Sequence, residues 1–128
     1  MKILGIGVDV VQNKRIRSLI NNKNFINRTF AKNEVKLSKK SSNKTNYFAK
    51  RFAAKESLAK SLGTGFRNNL NFKDIEILND KIGKPYFLKS RKVSKIIQNK
   101  FKVKKFDLFL SISDEKEYSV AFTILQTK

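Results

Sequence analysis

Phe48-Ala49-Lys50-Arg51-Phe52-Ala53-Ala54-Lys55-Glu56-Ser57-Leu58-Ala59-Lys60 is the stretch on which the reading of this chain turns. Phe48, Phe52, Ala59 and Leu62 recur at helical spacing, which predicts one long helix from about Asn46 to Leu62. Gly63-Thr64-Gly65 stops it. Glu56 stands inside this apolar stripe. A second carboxylate, Asp9, closes the apolar run Ile3-Leu4-Gly5-Ile6-Gly7-Val8 and is followed by Val10-Val11. Burying an acid in a core element costs several kcal/mol unless a cation offsets it. Either a basic side chain or a divalent metal supplies that cation, and which one it is decides whether the chain is an enzyme.

Outward from the helix, residues 3–11 are β-branched and apolar on both faces, the pattern of a central strand. Gly5 and Gly7 fall on the same side as Asp9 and leave room for something bulky to approach the backbone. Ile16, Leu19 and Ile20 predict a short helix with Lys14, Arg15 and Arg17 on its other face, and Phe30 to Lys39 predicts another. Lys39 to Asn46 reads as a polar loop. The period changes after the long helix. Phe72 to Leu78 alternates, with Ile75 and Ile77 on one face and Asp74 and Glu76 on the other. Asn79 to Gly83 is a turn, Lys84 to Leu88 a strand opened by the single proline, and Val93 to Phe101 a short helix. Asp107 to Ser113 and Tyr118 to Leu125 form a hairpin. Helices cluster early and antiparallel strands late, so the class is α+β, in a single domain over residues 1–128.

Composition narrows the chemistry. The chain has no cysteine and no histidine, which excludes disulfides, thiolate sites and histidine-based acid–base catalysis. Proton transfer falls to carboxylates, lysines, tyrosines or metal-bound water. No run reaches the roughly 20 apolar residues of a membrane span. The N-terminal stretch, interrupted by Asp9, does not read as a signal peptide, so the expected location is cytoplasmic. A net charge of +19 implies an anionic partner, although lysines beside asparagines (Asn21-Asn22-Lys23-Asn24, Asn43-Lys44) have the look of compositional bias. Charge alone also suits a small basic RNA-binding protein. Against that, most phenylalanines (Phe48, Phe52 and Phe122 among them) fall on predicted apolar faces, Tyr47, Tyr86 and Tyr118 are scattered, and the signal is charge only.

Two readings of Asp9 and Glu56 stand side by side. One is a magnesium site, since Mg²⁺ takes a few carboxylate oxygens, waters and substrate phosphates. The other is a buried salt bridge from Glu56 to Arg51, Lys55 or Lys60 on its own helix. Those cations would equally flank a phosphate held by a metal.

Four stretches resemble the holo-[acyl-carrier-protein] synthases, in order along the whole chain. Gly5-Ile6-Gly7-Val8-Asp9-Val10-Val11 with Arg15-Ile16 resembles their opening motif. Arg51-Phe52-Ala53-Ala54-Lys55-Glu56-Ser57-Leu58-Ala59-Lys60-Ser61-Leu62-Gly63-Thr64-Gly65 resembles the second, nearly without departure. Gly83-Lys84-Pro85 resembles the third, and Leu110-Ser111-Ile112-Ser113 with Tyr118-Ser119-Val120-Ala121 the fourth. The resemblance implies the 4′-phosphopantetheinyl transferase fold, an antiparallel sheet wrapped around a long helix. It implies transfer of phosphopantetheine from coenzyme A to a serine of apo acyl carrier protein, with Mg²⁺ as cofactor and adenosine 3′,5′-bisphosphate as by-product.

By the same resemblance, Asp9 and Glu56 match the metal-binding acids and Lys60 the lysine near the reacting phosphate. Arg51, Lys55, Gly63, Gly83, Lys84 and Pro85 lie in stretches that look like coenzyme A contacts, and Arg15 matches an arginine that meets the carrier. Short members of this family are homotrimers with active sites between subunits, and neither nucleic acid nor membrane is expected as a partner. Two positions depart from the pattern. Asp114 stands where a histidine that looks like a contact to the nucleotide end of coenzyme A is usual: either Lys44 or Lys116 takes over, or affinity for the 3′-phosphate is weakened, and compensation is the expectation. Gln12 stands where many relatives have an acid, with a ligand or hydrogen bond near the metal expected to be lost.

Overall fold

The computed structural model describes residues 1–67 and 69–128. Strand β1 (Ile3–Gln12) leads into three short helices, α1 (Asn13–Leu19), α2 (Lys23–Thr29) and α3 (Lys32–Ser38). The long helix α4 (Lys44–Ser61) follows. A 3₁₀ turn (Phe72–Asp74), the short pair β2 (Ile77–Asn79) and β3 (Pro85–Phe87), helix α5 (Arg91–Phe101) and the hairpin β4 (Phe106–Asp114) and β5 (Tyr118–Thr127) complete the chain. The main sheet is antiparallel in the order β1-β5-β4, and it packs across α4. The expected class and the sheet-around-helix arrangement are both present.

Helix α4 is the hub. Asn43 caps it, its side chain accepting the Asn46 amide at 3.1 Å. At the other end Gly63 (φ +79°) and Gly65 (φ +64°) take the left-handed conformation. Their amides return to the carbonyls of Lys60 and Ala59 at 3.0 and 3.2 Å. The helix buries residues on almost every side, and what faces the sheet is small: Ala53, Ser57 and Ser61 are buried beside it. A Cβ on Gly5 would lie 1.8 Å from the Ser61 carbonyl oxygen, and one on Gly7 1.9 Å from that of Ser57. The bulky object for which these glycines leave room is therefore the backbone of α4. Ser57 Oγ also meets Thr123 Oγ1 of the central strand at 2.6 Å.

A buried ion pair holds the opposite flank. Lys55 and Glu34 meet at 2.7 Å with no side-chain exposure on either. Lys55 also donates to the carbonyls of Phe72 and Ile75, and Glu34 accepts the amides of Ala31 (2.9 Å) and Ile77 (3.1 Å). One pair thus joins α3, α4, the 3₁₀ turn and β2, with its hydrogen-bonding capacity largely used.

Several sequence expectations change. β1 is an edge strand, not a central one; β5 holds the centre. Its second apolar face, with Ile6 59% and Val10 58% exposed, has no cover within the chain. Continuous apolarity means two faces to bury, and here only one is buried inside the protomer. The expected helix over residues 30–39 is α3, and α2 before it was missed because its single buried turn, Phe25 to Thr29, carries little periodicity. The expected alternating strand from Phe72 begins as a 3₁₀ turn and becomes strand only at Ile77, although Ile75 and Ile77 are both buried as the pattern required.

The Gly7 contact gives a direct expectation. Gly7→Ala would drive a methyl into backbone that cannot yield, so loss of about 3 kcal/mol or more, or failure to fold, is expected in a denaturant titration. Gly83→Ala, where no atom lies within 4 Å but φ is +90°, should cost only about 1 kcal/mol.

Candidate active site

Because β1 lies so close to α4, the strand's inward-pointing Asp9 comes beside the helix positions Glu56 and Lys60. Lys60 Nζ donates to Asp9 Oδ1 at 3.1 Å and to the Val8 carbonyl at 3.0 Å. A lysine has three donors, so one remains for a ligand, and the side chain is about half exposed (53%). Asp9 is mostly covered (14%). Glu56, one helical turn before Lys60, is half-buried and has no ion pair or side-chain hydrogen bond among the described residues. Burial, and then the neighbouring Asp9 charge, hold its carboxyl above the usual carboxylate range; Lys60 and Arg15 only partly oppose this.

The salt-bridge alternative therefore fails for Glu56. Lys55 is taken by Glu34, Lys60 by Asp9, and Arg51 by Asn79. Two adjacent carboxylates, one resisting ionisation, make a place that a cation relieves. No group of three or more acidic or histidine side chains gathers among the described residues. A two-carboxylate set suits Mg²⁺, which keeps waters and phosphate oxygens in its shell and rarely uses an all-protein cage. The residues present fit the ion.

Nearer the start of α4 lies a polar cleft of about 170 Å³ lined by Lys50, Arg51, Ile77, Asn79, Gly83, Pro85, Ile112 and Asp114. Arg51 stacks over the Tyr47 ring at 3.6 Å and donates to the Tyr47 carbonyl (3.2 Å) and Asn79 Oδ1 (2.9 Å). Its Nε is buried without a partner among the described residues. Burial lowers the Arg51 pKa and raises that of Tyr47. Asn79 Nδ2 donates to the Gly83 carbonyl at 2.9 Å, so one asparagine ties the Arg51 guanidinium to the Gly83-Lys84-Pro85 turn. Asp80 shapes that turn, its Oδ1 accepting the amides of Ile82 (3.0 Å) and Lys84 (2.9 Å).

Of the expected site residues, Asp9, Glu56 and Lys60 come together with Arg15 close by, while Arg51, Gly83 and Pro85 share the cleft. Gly63 forms the exposed stop of α4, and Lys84 is exposed on the turn. Lys55 departs from expectation: it is fully buried and all three donors are spent inside the fold, so it holds structure and has none left for a ligand. Gln12 also differs. Strand alternation puts it on the face of β1 opposite Asp9, away from the acids. Lys44 and Lys116 line other hollows than the one containing Asp114. Sequence reading missed Asn79, Asn46 and Asn13, whose amides organise the cleft. In a chain crowded with asparagine, nothing local distinguishes them.

A family model described as 4′-phosphopantetheinyl transferase superfamily matches residues 5–123. The chain is 58% identical over 128 residues, all of both proteins, to the holo-[acyl-carrier-protein] synthase of Pelagibacter ubique. It superposes on the enzyme of that name from Neisseria meningitidis with a TM-score of 0.87 at 36% identity, covering 98% of this chain and 99% of the other. A holo-(acyl-carrier-protein) synthase from Bacillus anthracis, solved in complex with CoA (3′,5′-ADP), matches over the full length of both chains with a TM-score of 0.83 and 33% identity. The fold and these matches define a phosphopantetheinyl transferase. The chain belongs to that superfamily and, within it, to the holo-[acyl-carrier-protein] synthases.

Glu56 should show a conflict between stability and function. An acid whose folded-state pKa is raised destabilises the fold above its folded pKa. That penalty fades as pH falls through the folded-state pKa and is gone below the ordinary carboxylate range. In EDTA at pH 7, Glu56→Gln should therefore raise the melting temperature by about 2–4 °C, with the gain vanishing near pH 4. A melting temperature unchanged at both pH values would contradict the placement.

Proposed function

We propose that this chain transfers the 4′-phosphopantetheine arm of coenzyme A to a serine of apo acyl carrier protein, in a magnesium-dependent reaction that releases adenosine 3′,5′-bisphosphate. The observation that carries the reading is the Asp9–Lys60 contact beside an uncompensated Glu56. Asp9 and Glu56 would hold the ion. Bound there, Mg²⁺ would neutralise the pyrophosphate and the charge developing on the leaving bisphosphate.

The chain's own groups supply the rest. A bond forms from the serine oxygen to the phosphorus of the pantetheine phosphate, and the bond from that phosphorus to the bisphosphate oxygen breaks. Lys60, held by Asp9 and the Val8 carbonyl, directs its remaining N–H to the phosphates. The serine proton leaves to a water or to a carboxylate near Asp9, because the chain has no histidine. The cleft with Arg51, Gly83 and Pro85, and Lys84 on its turn, receives the nucleotide end of coenzyme A. Gly63 borders the site at the end of α4.

Carrier proteins are acidic, and Arg15 on α1 stands near Glu56 to meet one. The net charge of +19 then steers the encounter. The uncovered apolar face of the main sheet (Ile6, Val8, Val10, Phe109 and Phe122) supports a homotrimer with active sites between subunits, since a continuous face of this kind is costly in water. No helix among the described residues is long and apolar enough to cross a membrane. The proposed reaction belongs to fatty acid biosynthesis in the cytoplasm.

Intact-mass analysis of apo carrier with coenzyme A and Mg²⁺ is the primary test. The carrier should gain one phosphopantetheine, EDTA should abolish the gain, and Glu56→Gln should slow it by about 10²-fold or more. Full transfer by Glu56→Gln would refute the metal site. Ile6→Glu, on the open face, should shift light-scattering mass from trimer toward the 14.8 kDa protomer and remove transfer with it. A trimer that survives the substitution would refute that interface.

A further inference from the structure

The cleft contains a charge that the proposed reaction does not use. Asp114 ends β4 and lines the cleft with Lys50, Arg51, Gly83 and Pro85. Its Oδ2 accepts from Asn46 Nδ2 at 2.8 Å. Asn46 Oδ1 in turn accepts from Asn13 Nδ2 at 3.2 Å. Asn13 is fully buried, donating also to the Glu115 carbonyl at 2.8 Å and accepting from Ser119 Oγ at 2.8 Å. A chain of amides thus anchors the carboxylate to the interior, although the residue itself is exposed. It does not behave as a free surface acid. Asp114 Oδ1 has no protein partner among the described residues, so an acceptor is left over.

Within one chain, Lys50 and Arg51 are the cations that line the cleft with this carboxylate, and Lys84 is exposed on the turn beside it. The terminal nitrogens of Arg51 already serve the Tyr47 carbonyl and Asn79 Oδ1. Lys50 makes no ion pair or side-chain hydrogen bond among the described residues and is the one lysine lining the cleft. A lining of one lysine ammonium without an ion pair among the described residues, one engaged guanidinium and one anchored carboxylate presents a weak field to a dianionic phosphate. It presents a ready acceptor to a hydroxyl or amino donor.

We infer that Asp114 is a specificity-determining residue. Its carboxylate opposes the 3′-phosphate of coenzyme A, so that the chain takes 3′-dephospho-coenzyme A nearly as well. Like charges held in one small cleft repel strongly enough to erase a phosphate preference, and rejection of this kind is how a site discriminates without new contacts. The inference rests on the reading that the cleft receives the nucleotide end of coenzyme A. It replaces the expectation that Lys44 and Lys116 compensate, since neither lines this cleft.

Calorimetric titration of the whole protein with coenzyme A and with its 3′-dephospho form tests this without requiring turnover. For the natural chain the two dissociation constants should agree within about threefold. Asp114→Asn keeps the shape and an acceptor for Asn46. It should tighten coenzyme A by about tenfold while moving the dephospho form much less. Lys50→Gln, a solvent-facing change that leaves the amide chain intact, should weaken coenzyme A more than the dephospho form. A natural preference for coenzyme A above about 30-fold, or an Asp114→Asn variant that moves both ligands equally, overturns the inference while leaving the transferase reading intact. Binding of neither ligand overturns the inference and the assignment of the cleft together.

Discussion

The candidate site at Asp9, Glu56 and Lys60 depends on how closely β1 approaches α4. Side chains normally keep a strand and a helix about a side-chain layer apart, and at that distance Asp9 could not reach the helix's polar positions. Gly5 and Gly7 remove the layer, and Ser57 and Ser61 present only small side chains in return. The strand backbone settles onto the helix carbonyls. Asp9, next in the inward series, is thereby delivered to Lys60 and into the field of Glu56. The glycines serve the site by what they lack.

The cations of the helix divide their labour by burial. Lys55 and Lys60 lie five residues apart in one motif and read alike. Lys55 points into the interior, where burial lowers its pKa and Glu34 opposes that, and its three donors close a junction of four elements. Breaking such a pair by removing one partner typically costs about 3–5 kcal/mol, because an unpaired charge is left buried. Lys60 lies at the rim with a donor to spare. Arg51 is intermediate: it is buried, stacked on Tyr47 and tied through Asn79 to the turn whose Gly83 and Pro85 line the cleft with it. The same residue type in the same helix is framework or chemistry according to what the fold puts opposite it.

A second organising device is a set of asparagine amides. Asn79 joins helix to turn, and Asn13 with Asn46 joins α1, α4 and the β4–β5 loop and fixes Asp114 at the end of β4. An amide donates and accepts at once, so it links two elements without adding charge to a protein already strongly cationic. Apart from the bond from Asn79 to Gly83, 4 residues apart, these bonds connect positions 28 to 106 residues apart. No local pattern reports them.

The sequence by itself determined the elements and the cast. Periodicity located α4, α5 and the final hairpin, the absence of histidine and cysteine confined the chemistry to acids and lysines, and two acids in apolar runs marked the site. Those signals are local, because helical and strand periods and the cost of burying charge are read within a few residues. Tertiary structure decided the pairings. It put β1 at the sheet edge with a bare apolar face, assigned Lys55 to Glu34 instead of to a ligand, turned Gln12 away from the acids and set Asp114 among Lys50 and Arg51. Each of these depends on what lies across the chain from a residue. An apolar run cannot tell which of its faces has a cover within its own protomer, nor can a lysine tell which carboxylate it will meet.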